Sequence, residues 1–135
     1  MHFLNNMYNI NKIIKYVEKK YKEKPEYLWK KFPDFAVFRH KDNRKWFMLL
    51  AKVDKTKLSM DIDYKEKLQN EVEIMNVKCD PNMIDAIVNN KNLIRSYHMN
   101  KKHWITVILD GSLKDSNINE LIDISFGMTC KKNKK

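Results

Sequence analysis

Between Lys45 and Lys52 run six consecutive apolar residues, Trp46-Phe47-Met48-Leu49-Leu50-Ala51. Successive residues of a strand face opposite ways, so such a run puts apolar surface on both faces of a sheet, and both need cover. The segment from Lys45 to Val53 is therefore expected to be a central strand, with the core on one face and a helix or an aromatic patch over the other. Phe35 to His40 precedes it across the short polar link Lys41-Asp42-Asn43-Arg44, the pattern of a β-hairpin. A second apolar run, His103 to Leu109, sends Ile105, Val107 and Leu109 one way and Trp104, Thr106 and Ile108 the other. Its entrance, Tyr97-His98-Met99-Asn100-Lys101-Lys102-His103-Trp104, is unusually polar for a strand so apolar on both faces.

The remaining pattern supplies helices around these strands. Ile10, Ile13, Ile14, Val17 and Tyr21 recur at helical spacing with lysines between them, predicting an amphipathic helix from about Tyr8 to Tyr21 capped by Asn9 or Asn11. Lys24-Pro25-Glu26 breaks the chain, and Tyr27-Leu28-Trp29 is read as a short helix or an extended piece. Lys55 to Glu71 reads as a surface loop anchored by Met60 and Leu68, and Val72 to Lys78 as a strand. Asp80-Pro81 is a helix start, with Asp as the cap and Pro at the first position, and that helix is expected to end near Asn90. Asn92 to Asn100 looks irregular. Asp110-Gly111-Ser112 is a turn, and Asp115 or Ser116 should cap a last helix marked by Ile118, Leu121, Ile122, Ser125 and Thr129. Sequential strands with short links favour an antiparallel sheet with helices packed on one face, an α+β two-layer sandwich.

At 135 residues, one domain spanning 1–130 is expected, followed by a basic, disordered tail at 131–135. No window approaches a membrane span and no leader pattern opens the chain, so a cytoplasmic protein without a membrane segment is expected. Cys79 and Cys130 lie far apart in sequence with no CxxC pattern, which argues for two reduced thiols rather than zinc or disulfides.

The formal charge of +10 invites a nucleic-acid partner, because cations on a protein release counterions from a phosphate backbone. With 27 Lys and Arg, of which Arg39, Arg44 and Arg95 are the arginines, 27 − 3 = 24 are lysines. Lysine supplies field rather than the bidentate fork that reads guanine. The five-residue tail carries +4 of the total, leaving 10 − 4 = +6 on the rest. Positive excess gathers in His40–Lys45 and Arg95–His103, while Asp61–Glu73 and Asp110–Asp123 are net acidic.

Several of these residues together resemble a known family. Lys30-Lys31-Phe32-Pro33-Asp34, Arg39-His40, Lys45-Trp46-Phe47, Val77-Lys78-Cys79-Asp80-Pro81, the His98-Met99-Asn100-Lys101-Lys102-His103-Trp104 block and Leu109-Asp110-Gly111-Ser112 look like the MmcQ/YjbR family of small bacterial proteins. The resemblance implies a frataxin-like (CyaY-like) α+β fold and a DNA-binding role through a double-wing arrangement. It carries over no catalytic residues.

If the two basic loops lie side by side, Lys41, Arg44, Lys45, Arg95, Lys101 and Lys102 are placed to meet phosphates, with Asn43 or Asn100 near base edges. The alternative is a protein-partner or small-ligand module, with His98, Asn100, His103 and Trp104 around a pocket. Trp46 and Trp104 are candidates for a cross-strand pair, as sheet packing or as a stacking platform. His98 and His103 stand five apart with no Asp, Glu or Cys beside them to complete a ligand set, so no metal or cofactor is expected. Ser112 with His103 and Asp110 lacks a nucleophile elbow, and Cys79 is more simply a buried thiol. A non-enzymatic, monomeric DNA-binding protein is the expectation.

Overall fold

The computed structural model describes residues 7–130, so the basic tail at 131–135 lies outside the described residues. Five strands form one antiparallel sheet: β1 (Ala36–Arg39), β2 (Trp46–Asp54), β3 (Glu71–Lys78), β4 (Leu93–Arg95) and β5 (Trp104–Ile108), in the order β1-β2-β3-β5-β4. The helices are α1 (Ile10–Tyr21), the short α2 (Ile62–Glu66), α3 (Pro81–Ile87) and α4 (Asp115–Thr129). The α+β sheet-and-helix architecture read from the sequence is the one observed.

Local chemistry accounts for the helix starts. Asn9 caps α1 by accepting a hydrogen bond from the Lys12 amide through its side chain at 3.0 Å, and the Glu73 carboxylate accepts from the Ile10 amide at 2.9 Å. Asp80 caps α3 with Pro81 at its first position. The last helix departs from expectation. Its cap is Lys114, whose side chain makes no capping bond, and Asp115 sits inside the first turn instead. There its charge still favours the helix through the dipole.

The sheet is buried on both faces, as the run at 46–51 requires. On the inner face α1, α3 and α4 lay Ile13, Val17, Ile84, Ile118, Leu121 and Ile122 against Ala36, Phe38, Met48, Leu50, Met75, Val77, Ile105 and Val107. On the outer face Val37, Leu49, Ala51, Val53, Ile74 and Ile108 are covered by irregular chain, with Leu58, Met60 and Leu68 from one segment and Tyr97 and Met99 from another. The stretch 55–71 is thus more than a loop. It holds a 3-10 turn (Lys55–Lys57), α2 and the buried Leu58. The core helices are on one face as expected, whereas the second cover consists mainly of loops.

Polar clasps lock α4 to the rest. Asp123 accepts from the hydroxyls of Tyr16 at 2.9 Å and Tyr21 at 2.6 Å and from Lys20 Nζ at 2.9 Å, joining α1 to α4. Burial pushes the Asp123 carboxyl up, but the hydrogen bonds from Tyr21, Lys20 and Tyr16 outweigh it and hold the group below its ordinary value. Ser125 Oγ donates to the Phe47 carbonyl at 2.6 Å and accepts from the Lys78 amide at 2.8 Å, tying α4 to the adjoining ends of β2 and β3.

Candidate nucleic-acid interface

Antiparallel pairing decides where the two basic loops go. Arg39 pairs with Trp46, Met48 with Val77, Lys78 with Trp104 and Arg95 with Ile105. The link from β1 to β2 and the link from β4 to β5 therefore leave the same end of the sheet, one at each edge, with the end of β3 between them. Their centres are three strand spacings apart, about 14 Å. This end carries Lys41, Arg44, Lys45, Lys78, Arg95, Lys101 and Lys102 against Asp42, Asp80 and Asp85, with Glu23 and Glu26 beside the first loop. The opposite end gathers Asp54, Asp61, Asp63, Glu66, Glu71 and Asp110 among its lysines.

The first loop is held rigidly. The His40 amide donates to the Lys45 carbonyl and the Arg44 amide to the His40 carbonyl, both at 3.0 Å, with Arg44 in the left-handed region at φ 65°. Asn43 donates through Nδ2 to the Thr129 carbonyl at 2.8 Å and accepts from the Lys45 amide through Oδ1 at 2.9 Å. Its amide is thus spent on anchoring the loop to the end of α4 rather than presented for base recognition. His40 is buried, its Nε2 is 2.8 Å from Thr129 Oγ1, and that hydroxyl donates to the Ser125 carbonyl, which leaves the ring nitrogen as the donor. Lys41, Arg44 and Lys45 point outward and are exposed.

Burial lowers the pKa of His40, against weaker opposing pulls from Asp42, Glu23 and the Phe126 backbone. The unfolded chain then takes up the proton at higher pH than the folded one. Stability present at neutral pH is expected to fall as pH drops through the ordinary value of 6.5. Nuclear magnetic resonance titration of the His40 ring should give a midpoint below that value, alongside a falling urea midpoint. A ring that titrates above it would contradict this anchoring.

The second loop rests on a buried polar network. Asn76, fully buried on β3, donates through Nδ2 to the Tyr97 carbonyl at 2.9 Å and accepts through Oδ1 from the Thr106 hydroxyl. Thr106 Oγ1 in turn accepts from the Tyr97 amide at 2.9 Å. Asn100 caps the turn, accepting from the Lys102 amide at 2.8 Å, and Lys101 Nζ donates to the Ser96 carbonyl at 2.7 Å. Arg95 pairs with Asp85 at 2.8 Å on an exposed surface, where such a pair contributes about 0–1 kcal/mol and exchanges readily for another anion. Lys102 is exposed.

The four residues of the alternative pocket differ in exposure. His98, Asn100 and His103 are exposed, His98 at φ 70° with its ring 4.2 Å from that of Tyr97, and Trp104 is buried. One cavity of about 520 Å³ lies among Lys52, Tyr64, Leu68, Glu73 and Asp110, and another of about 320 Å³ among Glu23, Glu26, Arg39, His40, Lys41 and Arg44. None of the four residues lines either. The expectation that Trp46 and Trp104 are cross-strand neighbours is corrected. β3 lies between their strands, with Lys78 opposite Trp104, and the ring next to Trp46 is Trp29 at 5.8 Å.

Asp110 and Ser112 also have a structural role. Tyr64 donates to Asp110 Oδ2 at 2.5 Å, Ser112 Oγ to Asp110 Oδ1 at 2.5 Å and Asn92 Nδ2 to Ser112 Oγ at 2.9 Å, at the end of the sheet away from His103. Burial pushes the Cys79 thiol up, away from thiolate character. Among the described residues no group of three or more His, Cys, Asp or Glu is placed to hold a metal ion, and no helix is long and apolar enough to cross a membrane.

Fold and site together define a class: a small antiparallel α+β protein whose sheet is covered on both faces and carries two loops rich in cations at one end. A model of the YjbR family matches residues 18–128, and the chain belongs to that family. It is 38% identical over 117 residues to the uncharacterised protein YyaQ of Bacillus subtilis (strain 168), covering 87% of this chain and 94% of that one. It is 42% identical over 53 residues to the uncharacterised protein YjbR of Escherichia coli (strain K12), covering 38% of this chain and 45% of that one. Among solved structures, one from Pseudomonas syringae matches with a TM-score of 0.81 at 39% identity, over 91% of this chain and 100% of that one. A Deinococcus radiodurans protein, 20% identical with a TM-score of 0.68, covers 96% of this chain and 83% of its own and shares the fold.

Proposed function

We propose that the protein binds duplex DNA through its phosphate backbone, using the β1–β2 and β4–β5 loops as two wings and catalysing no reaction. The observation that carries this reading is the placement of both basic loops at one end of the sheet, about 14 Å apart. That spacing is comparable to the ~12 Å major groove, so cations on the two loops can meet phosphates on either side of it. Lys41, Arg44, Lys45 and Lys102 supply the contacts, and Arg95 joins them by exchanging Asp85 for a phosphate. Lys101 adds charge while staying tied to Ser96. Asn43 is committed to its loop and to the end of α4, and Asn100 uses its Oδ1 within its own turn, so the expected binding has little sequence preference.

Five cations on phosphates predict a log–log dependence of affinity on salt with a slope of about −4.5. Titration of a duplex at several salt concentrations, followed by fluorescence anisotropy, measures it. A slope near zero, or no binding at low salt, would sink the reading.

A further inference from the structure

Among the described residues the exposed large hydrophobic side chains are Tyr27, Leu28, Trp29, Phe32, Ile62 and Met128. Four of these six fall within 27–32, with 36–56% of their surface exposed. Clustering of this kind marks an interaction surface rather than the scattered apolar exposure of any soluble protein.

The segment is irregular, with a bend at Lys30-Lys31 and a turn at Pro33-Asp34, and it is pinned to β1. The Glu26 amide donates to the Val37 carbonyl at 2.8 Å and the Val37 amide to the Glu26 carbonyl at 2.9 Å, while the Phe35 amide donates to the Phe32 carbonyl at 3.1 Å. Trp29 stands edge-on to Phe35 at 6.0 Å and to Trp46 at 5.8 Å, and Phe32 stacks on Phe35 at 4.8 Å. The Trp29 and Phe32 rings are therefore held in position before any partner arrives, which lowers the entropy lost on binding. Trp46 directly follows Lys45, so the aromatic ledge runs into the first loop.

Charge selects the occupant. Lys30 and Lys31 sit between the rings, Lys24 and Lys45 flank them, and all four are exposed. Of the nearby acids, Glu26 is engaged by Arg39 through two hydrogen bonds at 2.9 and 2.7 Å, leaving Asp34 within 27–35. A second copy of the chain packed about a two-fold axis would set Lys30 and Lys31 near their own images, which disfavours self-association. A polyanion that also offers flat apolar faces fits both features. Unpaired nucleobases on a phosphate backbone have that chemistry, whereas bases inside a duplex do not expose their faces.

We infer that the ledge formed by Tyr27, Trp29 and Phe32, with Lys30 and Lys31, binds single-stranded nucleic acid by base stacking. The surface extends the nucleic-acid reading beyond the duplex and shares only Lys45 with the wings. A strand separated from a duplex held at the loops would pass onto the ledge beside them.

The test uses a labelled oligothymidylate of about 16 nucleotides, the span of a large single-strand site, and a duplex at the same salt. Binding of the oligothymidylate should quench tryptophan emission. Phe32→Ala and Tyr27→Ala should each weaken it by about tenfold while leaving duplex affinity within about twofold. Thermal melting of each variant checks folding, and the wild-type quench tests the ledge without any substitution. No binding of oligothymidylate, or equal binding by the variants, overturns the inference. So does a concentration-dependent dimer in sedimentation that the variants abolish without changing oligothymidylate affinity. Duplex binding with the expected salt slope but no oligothymidylate binding would remove the ledge and keep the wings. The reverse pattern would remove the wings and keep the ledge.

Discussion

Reversing three wing cations together, Lys41→Glu, Arg44→Glu and Lys102→Glu, is expected to lower duplex affinity by about a hundredfold or more at ~0.1 M salt. Each change removes one phosphate contact and places a carboxylate where the phosphate would sit. The slope of log affinity against log salt should shrink from about −4.5 to about −2, the value left by Lys45 and Arg95. Stability should hardly move, because these side chains are exposed and the loop geometry rests on backbone bonds and on Asn43 and Asn100. Reversal of three exposed lysines outside the wings, Lys15→Glu, Lys19→Glu and Lys91→Glu, alters net charge equally and serves as the control. If both triple variants lose the same affinity, the effect is that of overall charge and the wings have no special part in it.

The largest structural effect is expected at Asn76. Asn76→Ala takes away the donor to the Tyr97 carbonyl and the acceptor of the Thr106 hydroxyl in a fully buried site. A buried polar group left without its partner costs about 1–3 kcal/mol, and the vacated volume adds to that, so a loss of about 3 kcal/mol is expected in urea unfolding. The loss should be local as well as global. Amides from 97 to 103 should exchange faster with solvent than those of β2 and β3, because the second loop hangs on this network. Duplex affinity should fall severalfold through the loosened wing. A loss below about 1 kcal/mol with unchanged exchange would mean that hydrophobic contacts of Tyr97 and Met99 alone hold the loop.

Much of this molecule is legible in its residues where a single element carries its own signal. The stripe from Ile10 to Tyr21 needs no tertiary information to be helical, and Asp80-Pro81 announces the start of α3 through a side-chain cap and a fixed φ. β4 shows the opposite case. Leu93–Arg95 is too short for an alternation to be read, and it is a strand only because β5 offers it a partner. The same holds for Leu58, whose burial depends on the segment 55–68 folding back over the outer face. Lys114 at the cap of α4, in place of Asp115 or Ser116, follows from the path of the incoming chain rather than from side-chain preference.

The candidate site divides along the same line. Positive charge in the two loops is plain in the sequence, as is the run of aromatics and lysines from Tyr27 to Phe32. Which of these groups are available was decided by the partners that the fold brings to them. Asn43 is spent on Thr129, Lys101 is tied to Ser96, Arg95 faces Asp85, and Trp104 is buried while Trp29 is exposed.

The sequence by itself determined that the central strands are covered on both faces, that helices flank them and that two loops each carry a local positive excess, because periodicity and composition act over a few residues. Only the tertiary structure decided that β3 and β5 are neighbours, that both loops therefore leave one end of the sheet, and that Trp46 meets Trp29 rather than Trp104. Strand order is set by long-range pairing, whose free energy depends on how whole faces pack, and no local pattern encodes it.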